Sequence, residues 1–146
     1  MPHMNIILAP FDKAEHLPLV KQWWAFYYED EEFPEYCVPK HGVVAFVDGN
    51  LVGSIFLYVN DTKICQMIFP IVNPDVMVRD KLKIVDELVE GGKKEAAKIL
   101  GKIGVVFALT HNGSVERSLV RAGFSDTGVM KTLAYPIGDG YIDFIK

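Results

Sequence analysis

An apolar run, Val105 to Leu109, leads into Asn112 to Phe124, which reads Asn-Gly-Ser-Val-Glu-Arg-Ser-Leu-Val-Arg-Ala-Gly-Phe. The run suits a buried strand. Asn112 is a residue type that opens helices, and the Ala-Gly-Phe end carries the glycine that stops one. Met130 to Ile137 then reads as another strand. The spacing predicts strand, polar turn, short helix, strand. That order confines the chain to mixed α and β architectures.

Upstream, Asn5 to Ala9 reads as a first or edge strand. Asp12 followed by Glu15 predicts a capped helix reaching about Tyr28. Leu17, Val20, Trp24, Tyr27 and Tyr28 fall on one face of it, and Trp23 and Trp24 are expected in the core. Gly42 to Val47, the hairpin signal Asp48-Gly49-Asn50, Leu51 to Val59, the turn Asn60-Asp61-Thr62 and Lys63 to Val72 predict an antiparallel meander. Pro70 cannot donate to a ladder, so a bulge or splayed edge is expected in its third strand. A long helix is expected from about Val76 to Leu100. Gly91 and Gly92 predict a weak point or break in it, since each costs up to about 1 kcal/mol against alanine. Strand, helix and strand at this length imply a right-handed parallel crossover.

With 146 residues, the chain is expected to form one domain over 1–146. Half the residues are apolar, which argues against disorder. The net charge of −4 gives no footprint for nucleic acid. No run is long and apolar enough for a membrane span, and the N-terminus lacks an export signal, so a cytoplasmic protein is expected. The two cysteines, Cys37 and Cys65, lack metal-ligand spacing and read as reduced thiols. No metal site is expected.

Several short motifs stand in a telling order. They are Pro39-Lys40-His41-Gly42-Val43, Phe56-Leu57-Tyr58-Val59-Asn60-Asp61-Thr62, Val72-Asn73-Pro74 and Gly123-Phe124. From about residue 5 to 137 the chain resembles the GNAT superfamily of acyl-CoA N-acyltransferases. It is most similar to small GNAT-like proteins encoded by bacteriophages. The resemblance implies an α+β fold with a mixed sheet: a meander, a β-α-β crossover and a final α-β. Two strands then splay to form a cleft for acetyl-CoA, the expected co-substrate. It further implies acetyl transfer to a small-molecule or protein amine by direct attack, in the host cytoplasm if phage-encoded, and is compatible with a homodimer.

The same resemblance assigns roles. Phe69, Ile71, Val72 and Asn73 would pair with the cofactor's pantetheine arm. Arg79, Asp80, Lys81 and Lys83 would lie at its pyrophosphate, and Asn112 would touch the pantetheine region. Backbone N–H groups of Ile71 and Asn73 would hold the oxyanion. On the acceptor side stand Tyr58 and the acidic residues Glu31 and Glu32, with Glu35 a further candidate base. His111 is read as a loop histidine with base chemistry as the alternative, and His16 and His41 have no evident partner.

The chain also departs from the family pattern. Alignment on Arg79 puts Leu82 and Ile84 where glycines normally approach the phosphates. Leu119 stands seven residues after Asn112, where a tyrosine acid is usual. Tyr135 is the substitute acid. A catalytically degenerate GNAT-like module that docks on a host or phage protein is the rival expectation, and an unrelated α+β domain is a third.

Overall fold

The computed structural model describes residues 4–29, 33–110, 112–129, 131, 133–135 and 137–138. Among the described residues, five strands form one mixed sheet in sequence order. They are β1 (Ile6–Pro10), β2 (His41–Val47), β3 (Asn50–Val59), β4 (Ile64–Val72) and β5 (Val105–Phe107). The first four pair antiparallel, and β5 joins β4 in parallel. This is the expected mixed sheet, and the described residues also form three α-helices: α1 (Lys13–Tyr27), α2 (Val78–Leu100) and α3 (Gly113–Arg121). A 3-10 turn, Glu35–Cys37, follows α1.

The strands alternate, so each face of the sheet has its own core. Ile55, Leu57 and Met67 meet Ile84, Leu88 and Val89 of α2 on one face. Val44, Phe56 and Ile71 meet Leu17, Val20, Trp23 and Trp24 of α1 on the other. Each such fully buried side chain contributes roughly 1.5–3 kcal/mol of transfer free energy. Both tryptophans are in the core, as expected. α3 lies against α2, with Leu119 buried in the α2-side core.

α1 starts as expected. Asp12 Oδ1 accepts from Ala14 N at 2.9 Å and Glu15 N at 3.2 Å. The reciprocal half of the cap comes from His16 rather than Glu15: Asp12 N donates to His16 Nδ1 at 2.8 Å. His16 is thereby a buried core residue with a partner, packed against Phe11 and Phe46.

Two expectations, a break at Gly91 and Gly92 and a strand over 130–137, are not met among the described residues. α2 runs unbroken through Gly91 and Gly92. A Cβ on Gly91 would lie 2.5 Å from Leu8 Cδ1, and one on Gly92 only 2.4 Å from Met67 Sδ. The glycines let the helix sit close on the sheet, and that packing offsets their poor helix propensity. The strand expected over 130–137 is also absent from the described residues of that range. Leu133, Tyr135 and Ile137 are 90%, 88% and 85% exposed and pair with nothing in the sheet. A strand needs a ladder partner as well as an alternating pattern, and none is found among the described residues.

Candidate functional site

β4 and β5 pair over only three positions, Ile64 with Val105, Cys65 with Val106 and Gln66 with Phe107. Beyond Gln66, β4 continues to Val72 while β5 ends at Phe107, and the strands part. On its other side β4 stays paired with β3 through Val72. Among the described residues, the result is a strand with one satisfied edge and one edge without a strand beside it beyond Gln66.

A bulge interrupts β4 at that opening. The register shifts between Ser54 and Phe56, so Phe69 and Pro70 together face Ile55. Pro70 has no N–H to give the ladder. Phe69 takes φ +59, a left-handed conformation costing roughly 1–2 kcal/mol for a residue with a Cβ. The bulge expected from Pro70 is present, and the strain falls on its neighbour.

The ladder decides which backbone groups face the opening. Asn73 N donates to Val52 O at 2.8 Å. Ile71, two residues earlier and paired with Ser54, shares that parity and faces β3. The two oxyanion donors expected from the sequence are therefore directed away from the gap. Val72, which lies between them, turns its N–H and C=O the other way. Its carbonyl accepts from the Tyr27 hydroxyl at 2.8 Å, across from the end of α1. The parity was not readable from the sequence, because the bulge resets it. Tyr27 was missed for a different reason: it reads as one more apolar position on the α1 face.

α2 begins beside this end of β4. Its N-cap, Met77, provides no side-chain cap. Arg79 and Lys83, four apart, share one exposed face of the first turns. Lys81 points elsewhere, its Nζ 5.6 Å from the Tyr27 ring centroid. Asp80 sits in the first turn, where an acid complements the helix dipole. Of the two positions aligned with family glycines, Leu82 is 45% exposed. Ile84 is fully buried, and its Cγ2 lies 2.9 Å from where a Gly53 Cβ would be. Ile84 belongs to the core, so no phosphate-facing glycine belongs at that position.

The other expected residues separate. Asn112 caps α3, its Oδ1 accepting from Ser114 N at 2.9 Å and Val115 N at 3.2 Å. Leu119, where the acid would stand, is packed in the core. Tyr135 is 88% exposed and lies outside the sheet, so it is a phenol in water rather than a positioned acid. Glu35 is paired with Lys21, whose hydrogen bond and charge hold its carboxyl below the usual value. Glu31, Glu32 and His111 lie outside the described residues. Among the described residues no cluster of His, Cys, Asp and Glu is able to hold a metal, and no helix is long and apolar enough to cross a membrane.

Tyr58 is brought to a second concavity, on the α1 side of the bulge. Trp24, Phe33, Val38, Phe56, Tyr58 and Phe69 are among its walls, which leave room for about one water molecule. Burial, and then the neighbouring Cys37, push the Tyr58 phenol well above its ordinary value, so it stays protonated at neutral pH. The Cys37 thiol is raised by burial, against a smaller opposing hydrogen bond from Tyr36.

No family model matches the chain, and no curated protein matches it. Solved structures do. The aminoglycoside acetyltransferase AAC(6')-Iy, with the bisubstrate analogue CoA-S-monomethyl-acetylneamine, aligns at TM-score 0.64 and 13% identity over 91% of this chain and 99% of that one. The aminoglycoside acetyltransferase meta-AAC0020, from an uncultured soil metagenomic sample and holding sisomicin, aligns at TM-score 0.64 and 9% identity over 91% and 97%. A ribosomal-protein-alanine N-acetyltransferase from Brucella melitensis biovar Abortus 2308 aligns at 0.56 and 15% over 90% and 99%. Likeness at this identity shows the fold alone: this chain shares the fold of these acetyltransferases.

Proposed function

We propose that this chain is an acyl-CoA-dependent N-acyltransferase that moves an acetyl group from acetyl-CoA to a primary amine. The observation that carries the reading is the open edge of β4, with Val72 turned into the gap where β4 and β5 part. An extended ligand with amide groups pairs with such an edge as a strand would. The uncapped start of α2, with Arg79 and Lys83 on one face, suits a pyrophosphate through its free N–H groups and its dipole. These residues fit acetyl-CoA, which when bound supplies an activated thioester. Asp80, Phe69 and Asn112 complete the proposed cofactor surface, Asn112 through its backbone, since its side chain caps α3, while Lys81 joins it only by leaving the Tyr27 ring.

In the transfer, the amine nitrogen forms a bond to the thioester carbonyl carbon as the carbon–sulfur bond breaks. The amine loses a proton and the leaving sulfur gains one. The Val72 N–H takes over the donor role first assigned to Ile71 and Asn73, facing the carbonyl oxygen as it gains negative charge. Neither Leu119 nor Tyr135 is placed to move a proton. Water carries it, and the rate rests on holding amine and thioester together.

The AAC(6')-Iy and Brucella neighbours frame the acceptor as a small-molecule or a protein amine. One domain over 1–146 rests on length, and a phage origin with action in the host cytoplasm rests on the sequence resemblance; a homodimer is compatible with the same proposal. The buried Leu119 and the Tyr27 hydroxyl on Val72 favour a second reading, a GNAT-fold module that binds a protein and has lost catalysis.

Calorimetric and thermal-shift titration of the whole protein with acetyl-CoA and CoA separates the two. A site with Kd of about 10 μM stabilises the fold by about 2.7 kcal/mol at about 1 mM ligand. Absence of heat and of any shift at millimolar acetyl-CoA would end the enzyme reading and leave the module.

A further inference from the structure

We infer that Tyr27 is the acid of the transfer: its hydroxyl gives a proton to the leaving sulfur, a role that the buried Leu119 cannot fill. The inference rests on the acyltransferase reading above and adds a catalytic residue to it.

Three observations point there. First, position: the Tyr27 hydroxyl is 2.8 Å from the Val72 carbonyl, in the gap where β4 and β5 part. Val72 is the residue proposed to face the thioester oxygen through its N–H. In an extended pairing the carbonyl of the same residue accepts from the neighbouring amide of the ligand. In acetyl-CoA that amide nitrogen is two carbons from the sulfur. The hydroxyl that yields the carbonyl is therefore left beside the sulfur, with a proton to donate. Second, preorganisation: Trp23 and Trp24, one turn earlier in α1, are buried and hold the end of that helix on the sheet. The Tyr27 ring itself stands perpendicular to the Phe26 ring, with centroids 5.3 Å apart. A group held in this way acts with little loss of freedom. Third, charge: Lys81 Nζ lies 5.6 Å from the centroid of the Tyr27 ring. A cation facing the ring favours it during the interval in which its oxygen is without a proton.

The step balances. The amine nitrogen bonds to the carbonyl carbon, the carbon–sulfur bond breaks, and the Tyr27 proton passes to the sulfur, which leaves as a neutral thiol. Water carries the proton lost by the amine to the Tyr27 oxygen, so the phenol is restored. Water thus serves the amine side of the reaction and Tyr27 the sulfur side. α1 supplies the acid from the opposite wall of the gap to α3, where the family pattern would have put it.

The test compares the native protein with Tyr27→Phe. Affinity for acetyl-CoA is read by calorimetry. Turnover is read by thiol release with hydroxylamine as a small amine, corrected for the uncatalysed reaction. Tyr27→Phe is expected to lower kcat by about a hundredfold. Acetyl-CoA is expected to bind the variant at least as tightly, a split that a merely structural role does not produce. A second readout needs no turnover. In protein labelled at the tyrosine ring carbon that bears the hydroxyl, the NMR signal that disappears in Tyr27→Phe is followed as CoA or desulfo-CoA is added. It is expected to move further with CoA, because the sulfur is the group the hydroxyl meets. An unchanged kcat in Tyr27→Phe overturns the proposal while the transferase reading stands. So does an equal NMR response to CoA and desulfo-CoA, or a loss confined to weaker acetyl-CoA binding. Acetyl-CoA binding by the native protein with no thiol released above background overturns the acid and leaves the binding module. Absence of both binding and thiol release overturns the proposal and the transferase reading together.

Discussion

The Tyr27 hydroxyl donates to the Val72 carbonyl at 2.8 Å, so the last turn of α1 covers part of the one edge β4 leaves open. Tyr27→Phe removes that donor and keeps the ring beneath Lys81. A typical hydrogen bond contributes about 1 kcal/mol, so urea unfolding should show a loss of that order. The freed carbonyl should tighten acetyl-CoA binding several-fold, read by calorimetry. Weaker binding in Tyr27→Phe would mean that the hydroxyl helps to hold the ligand.

The paired glycines of α2 should behave unequally. Gly92→Ala drives a methyl to 2.4 Å from Met67 Sδ, and Met67 is 1% exposed with no room to move. Overpacking of this kind costs about 1–3 kcal/mol. Gly91→Ala meets the end of the half-buried Leu8 side chain, which can turn aside, and gains about 1 kcal/mol of helix propensity. Denaturation midpoints should fall clearly for Gly92→Ala and hardly at all for Gly91→Ala.

Restoring family-like glycines in α2 should harm the fold rather than rescue a function. Ile84→Gly empties a fully buried position and loosens the helix. The two effects together cost about 3–6 kcal/mol. Leu82→Gly, at a 45% exposed position, should cost about 1 kcal/mol. Thermal melts of the two single variants check this, and equal losses would remove Ile84 from the core.

The Tyr58 phenol makes stability depend on alkaline pH. Its folded pKa is raised above the ordinary value of 10.0, chiefly by burial. The unfolded chain therefore releases this proton first. The contribution is fully present below pH 10 and lost as pH rises above it. In denaturant midpoints measured from pH 8 to 11, Tyr58→Phe should fall less steeply above pH 10 than the parent.

Most of the fold was legible because it depends on local signals. Asp12 and Asn112 cap the helices they were expected to cap, and Pro70 breaks the ladder where a missing N–H must. What failed depends on contacts between distant residues. Gly91 and Gly92 look like a break until Leu8 and Met67 are seen against them. Residues 130–137 alternate like a strand, but alternation does not provide a neighbour, and the described residues of that range have none in the sheet. The site was less legible than the fold. Oxyanion donors depend on ladder parity after a bulge, and parity shifts with one extra residue. The aromatic concavity collects Trp24, Phe33, Phe56 and Phe69 from four separate segments, each of which reads alone as ordinary core.

The bulge at Phe69 and Pro70 has a kinetic consequence. The opening between β4 and β5 follows from an imino acid and a three-residue parallel pairing, both present before any ligand arrives. No strand among the described residues has to peel away to admit an extended molecule; only the Tyr27 hydroxyl has to leave Val72. Association should therefore be a single step whose rate rises linearly with ligand concentration and shows no plateau from a slow opening. Selectivity would then be decided by how long a ligand stays rather than by how readily it enters.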